Sequence, residues 1–172
     1  VSTEVLDGRT VTAVVLGFTA VACLWWLYFD VVSVAAEHRF EHAPVAERNL
    51  LARDSYNYFH LPMIAGIVLM ALGLKKVFGD LDSSLKLVVS FALFGGVAIY
   101  LLGHLLFRYR NMRTWNVQRA VVLVLLLALV PVGVAVPAWV SLVVLTSVLI
   151  GLVAFEALHF REGRRAIRSA RH

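Results

Sequence analysis

Between Ala120 and Phe155 the chain runs for 36 residues without one ionisable side chain. A helix needs about 20 apolar residues to cross the hydrocarbon layer of a bilayer. The run is too long for one crossing and too short for two well-separated ones, so it reads as two spans joined by a tight turn. Three further stretches repeat the pattern. Val11 to Phe29 is uncharged, Ser55 to Leu74 is interrupted only by His60, and Leu87 to Phe107 only by His104. Charged residues make up 16% of the 172-residue chain, against about a quarter in soluble domains, and the mean hydropathy is +0.82. Lipid offers backbone groups no partner, so such segments must satisfy their own hydrogen bonds as helices. The expected fold is an all-α, polytopic transmembrane bundle. A soluble enzyme, a disordered region and a secreted disulfide scaffold are excluded, the last because Cys23 is the one cysteine.

Five spans are expected, over residues 10–37, 53–77, 85–107, 116–132 and 137–159 of a single membrane domain, with a basic tail over 160–172. Pro131, Gly133 and Pro137 are expected to break the long run. Residues 44–52 are polar enough to form a short interfacial helix, with Pro44 in its first turn. Gly66 and Gly73, and the pair Ala92 and Gly96, are small residues spaced for close helix packing. The Ala92–Gly96 face also offers a seam for a homo-oligomer.

Basic residues set orientation. Arg9, Lys75, Lys76 and Lys86 fall on one side of five alternating spans. The other side takes twelve arginines: Arg39, Arg48, Arg53, Arg108, Arg110, Arg113, Arg119, Arg161, Arg164, Arg165, Arg168 and Arg171. That side, with the C-terminus, is expected to be cytoplasmic. The same bias accounts for the basic balance without nucleic acid. The arginines are topology markers, and their expected partners are lipid head groups, at about 1 kcal/mol each near the surface.

Ionisable side chains inside spans are costly and mark partners or pathways. Asp30, seven residues before Glu37, lies about 10 Å inside the first span at ~1.5 Å per residue. His60 lies seven residues beyond Arg53, at a similar depth in a helix running the other way. His104 is one turn from Arg108, where snorkelling or packing is expected, and Glu156 and His159 close the fifth span. All sit towards the same side of the membrane. Trp26, Asp30, Ser33 and Glu37 share one helix face, as do Arg53, Tyr56 (or Asn57) and His60. The ion- or proton-binding candidates are therefore Asp30, His60, Glu37, His104 and Glu156, supported by Trp26, Tyr28, Tyr56 and Arg53.

His38-Arg39-Phe40-Glu41-His42 matches the H-x-x-E-H pattern of inverted zinc proteases. On a helix His38 and His42 could share a metal, but nothing specifies a third ligand and Pro44 follows at once. They are weak metal candidates. No catalytic residue and no cofactor is expected, and an enzyme is the least supported class.

The strings Leu24-Trp-Trp-Leu-Tyr-Phe-Asp30, Arg53-Asp-Ser-Tyr-Asn-Tyr-Phe-His-Leu-Pro-Met-Ile-Ala-Gly66 and Ala71-Leu-Gly-Leu-Lys-Lys-Val77 resemble the bacterial low temperature requirement protein A family, and Gly103-His-Leu-Leu-Phe-Arg108 does so more loosely. The resemblance spans Thr10 to Arg161 and is to the C-terminal half of family members. It implies a two-copy membrane protein, with this chain as one copy and an N-terminal half as its partner. A first residue of Val rather than Met accords with that expectation.

Two functions from different classes follow. In one, the polar cluster carries an ion, a proton or a small solute, with Asp30 as the carboxylate and His60 as its partner. In the other, the protein transports nothing and serves lipid sensing or membrane assembly in the cold, the cluster being structural. A zinc-dependent membrane hydrolase is a remote third.

Overall fold

The computed structural model describes the backbone over residues 8–40 and 45–169, and side chains over 8–29, 60–110 and 113–158. Among the described residues the fold is five helices and no strand. They are α1 (Gly8–Phe40), α2 (Val45–Gly79), α3 (residues 87–112), α4 (Val117–Ala135) and α5 (Ala138–Ser169). Each contains a stretch long and apolar enough to cross a membrane. The all-helical transmembrane bundle expected from the apolar runs is the observed fold.

Helix α3 is the most buried of the five and packs on α1, α2 and α4, while α1 lies against α5. Its tightest seam is with α2, and glycine makes it. A Cβ on Gly66 would lie 2.6 Å from the Tyr100 amide nitrogen, and one on Gly73 2.8 Å from the Leu93 Cα. Both distances forbid any side chain, so the two backbones touch. In lipid, where apolar surface has no water to escape, such contact is a main source of helix association. Gly96 faces the same seam, against the Met70 amide, and Ala92 is buried. At Gly96 this face is occupied within the chain.

Residues 91–95 of α3 form a π turn between two α-helical stretches. Ser90, fully buried just before it, donates its hydroxyl to the carbonyl of Val130 in α4 at 2.7 Å. Helix α3 ends on Arg113, whose left-handed backbone (φ 54°) lets its amide close onto the Tyr109 carbonyl at 3.0 Å.

The helices extend beyond several of the spans read from sequence. Pro131 lies inside α4, which continues to Ala135 before turning at Val136 and Pro137. A transmembrane helix tolerates an internal proline because neighbours can take up the freed carbonyl. Residues 45–52 are the first turns of α2 and form no separate interfacial helix. Helix α5 runs ten residues beyond His159, to Ser169.

At the end of the bundle holding the α2–α3 loop, that loop supplies the first partners of α5. Ala138 and Trp139 donate their amides to the carbonyls of Ser83 and Leu81, both at 3.0 Å. These are amides that a helix start leaves without an internal acceptor.

Candidate functional site

At the opposite end, all five helices converge on one polar cluster. It begins with Asn116, the residue before α4. Its side-chain oxygen accepts the Arg119 amide at 3.2 Å, capping the helix. Its amide nitrogen then donates to Glu156 Oε1 on α5 at 2.9 Å. One side chain thus starts α4 and ties it to α5.

Arg119, 1% exposed, completes the tie. Its Nε donates to Glu156 Oε1 at 2.8 Å and its Nη2 to Oε2 at 2.7 Å. This is the two-pronged geometry in which a guanidinium and a carboxylate match best. Its Nη1 lies 3.0 Å from His104 Nδ1 on α3 and 3.4 Å from the Leu27 carbonyl on α1. A guanidinium only donates, so His104 Nδ1 is the acceptor and the ring proton sits on Nε2. That Nε2–H is buried and meets no hydrogen-bond acceptor among the described residues.

The His104 ring leads from this clamp to an aromatic layer. Tyr100 packs beside it at 4.5 Å between ring centroids and donates its hydroxyl to the Leu24 carbonyl at 2.6 Å. Tyr28 of α1 meets it edge-on at 6.1 Å. The Tyr28 hydroxyl is 2.9 Å from His60 Nε2 on α2, and His60 meets the Phe107 ring edge-on at 6.0 Å. Tyr28, His60 and Tyr100 form the polar part of the wall of a cavity of about 410 Å³ between α1 and α2. The rest of its lining is apolar and includes Met63, Met70 and the outward-facing Trp25 and Phe29.

His60, His104, Glu156 and Tyr28 are thus brought together at one end, where the alternation of spans puts them. Of the snorkelling or packing expected for His104 from its distance to Arg108, the structure shows packing: the ring is buried against Tyr100 and Tyr28. Trp26, expected on the polar face, is about half exposed. The side chains of Asp30, Glu37, His38, His42, Arg53, Tyr56 and His159 lie outside the described residues, so the Asp30–His60 pairing and the H-x-x-E-H motif do too. Among the described residues, no three metal-ligating side chains converge.

Arg119 and Asn116 are members of the buried cluster that the sequence reading does not single out. Arg119 was one of twelve basic residues assigned to topology, and it is the buried cation of the cluster. Tyr100 is a further member that the sequence reading does not name.

Among known families, the model described as Bacterial low temperature requirement A protein (LtrA) matches residues 1–154. No curated protein and no solved structure matches the chain.

Proposed function

The chain belongs to the bacterial low temperature requirement A protein family, and on that footing we propose that it conducts or transports an ion, a proton or a small solute across the membrane. The observation that carries this reading is the Tyr28–His60 pair on the wall of the α1–α2 cavity. A titratable ring there can exchange protons or ligands with a space that a moving species could enter. Ionisable groups at membrane depth are costly and mark pathways or partners. In this reading Asp30, two residues beyond Tyr28, is the exchanging carboxylate and His60 its partner. Glu37 and Arg53 shape the mouth. Arg119, Glu156 and His104 hold the frame against which α1 and α2 work. The orientation follows the arginine bias, with this end and the C-terminus in the cytoplasm and the bacterial inner membrane as the location. The protein is not an enzyme in this reading.

A second reading rests on the clamp itself. Arg119 and Glu156 neutralise one another and spend nearly all their hydrogen-bonding capacity on protein. A layer built that way serves a non-transporting membrane protein, engaged in lipid sensing or assembly.

One experiment separates them. Protein reconstituted in liposomes is given pH, Na⁺ and K⁺ gradients in turn, beside Asp30→Asn and His60→Gln. Flux in wild type that disappears in folded variants supports permeation. Absence of flux with every gradient, in protein shown to be folded, leaves the second reading.

A further inference from the structure

The end of the bundle remote from the clamp carries a second built feature. A slot of about 320 Å³ runs between α1 and α5 under the α2–α3 loop. Its walls are apolar, from Ala13, Leu16, Leu81, Leu142 and Val143, with the half-exposed Trp139 at its rim. Among the described residues, the mouth holds one cation and one anion, Arg9 and Asp82, with Nη1 and Oδ1 3.1 Å apart and both side chains about two-thirds exposed or more.

The loop that presents Asp82 is fixed from both sides. Asp80 Oδ1 accepts the amides of Asp82 and Ser83 at 3.2 and 3.1 Å. The carbonyls of Leu81 and Ser83 accept the first amides of α5. The mouth is therefore preformed, with its two charges at the level where a transmembrane helix begins and where an indole rim sits at the head-group boundary.

The geometry points to a site for a zwitterionic, amine-bearing phospholipid. Its phosphate would take Arg9, its primary ammonium Asp82, and the start of one acyl chain the apolar slot. Each charge of such a head group meets its opposite, and an exposed ion pair holds its own partners weakly enough to accept a bridging ligand. A singly anionic head group satisfies Arg9 and is repelled by Asp82. A quaternary ammonium brings no N–H for the carboxylate. The volume is within the range of small-ligand pockets, apolar walls with a few placed polar groups being their usual make-up. This site is independent of the permeation reading, since it lies at the other end of the bundle and shares no residue with it.

The test is native mass spectrometry of the detergent-solubilised full chain, with phosphatidylethanolamine and phosphatidylglycerol of identical acyl chains competing. The ethanolamine lipid should be retained about fivefold over the glycerol lipid, as one charge-assisted contact at an exposed site allows. Asp82→Asn should bring that ratio to about one, and Arg9→Gln should lower retention of both lipids. Both positions are exposed, and thermal unfolding of each variant checks that the fold persists. Equal retention in wild type, a ratio unchanged in Asp82→Asn, or no lipid retained at all would overturn the assignment.

Discussion

Arg119 and Glu156 lie 37 positions apart in the chain and share two hydrogen bonds of 2.8 and 2.7 Å, both side chains almost fully buried. The pair joins α4 to α5 at the end away from their connecting turn. A short turn at one end and a bidentate ion pair at the other make the hairpin closed at both ends.

Breaking that pair leaves a charge in the bundle with no partner. Arg119→Ala or Glu156→Ala should each cost about 3–5 kcal/mol, read as a loss of unfolding free energy in a denaturant titration in micelles. Replacing both together by Met and Leu should restore much of it, because no lone charge remains. Arg119→Lys should behave nearly as badly as alanine, since an ammonium lacks the planar fork and cannot also reach His104. A double variant that loses the sum of the two single losses would show that the pair contributes nothing as a pair.

Gly66 and Gly151 are a matched contrast. Gly66→Ala drives a methyl into the backbone of α3, and overpacking of this kind costs about 1–3 kcal/mol. Gly151 sits in mid-helix with nothing within 4 Å of a Cβ placed there. Gly151→Ala should be neutral or stabilising by up to about 1 kcal/mol, from helix propensity alone. Melting temperatures moving in opposite directions would bear this out, and a common shift would refute the packing account.

Ser90 is a single-atom test of how α3 meets α4. Ser90→Ala deletes the hydroxyl bonded to Val130 and should cost about 0.5–1.5 kcal/mol. Ser90→Val puts a larger apolar group where the hydroxyl meets Gly133, and should cost more. If Val were tolerated better than Ala, the site would be valued for volume and not for the hydrogen bond.

Asp80 gives the pH dependence at the opposite end. Its carboxyl is held below the usual range, first by a hydrogen bond from the Ser83 side chain, then by the amides of Ser83 and Asp82. A lowered pKa in the folded state means the loop is stabilised above the unfolded value of about 3.9 and loses that support as pH falls through the folded value. Hydrogen exchange of residues 81–85 should be faster in Asp80→Ala than in wild type at pH 6. The difference should close as the pH is lowered below about 4. A gap that stayed constant with pH would assign the effect to something other than the carboxylate.

The helices were legible because charge-free length is a direct physical requirement of the bilayer. The glycine faces were legible from spacing, but periodicity names a face and not its partner, so Ala92 and Gly96 read equally as a seam within the chain or between two chains. Pro131 misled because proline ends helices in water, while a packed neighbour in lipid holds them open to it. Arg119 was the instructive omission. It lies 18 residues before Pro137 and Glu156 lies 19 after it, so once a hairpin turn is set at Pro137 the two ionisable residues flanking the uncharged run must face each other. That symmetry was in the sequence, obscured by grouping every arginine with topology. The Tyr28–His60 contact had no such signal, because it depends on how α1 leans on α2.

The π turn in α3 holds one residue more than the α-helical turns on either side of it require. Removing one residue from positions 91–95 would convert it to ordinary helix and leave Tyr100, His104 and Phe107 facing their present neighbours. Removing one between Tyr100 and Phe107 would rotate part of that set by about 100° relative to the rest. Length variation among related sequences in this helix is therefore expected at one place, the Phe91–Gly95 segment, and a gap found there marks where the surplus residue entered the lineage.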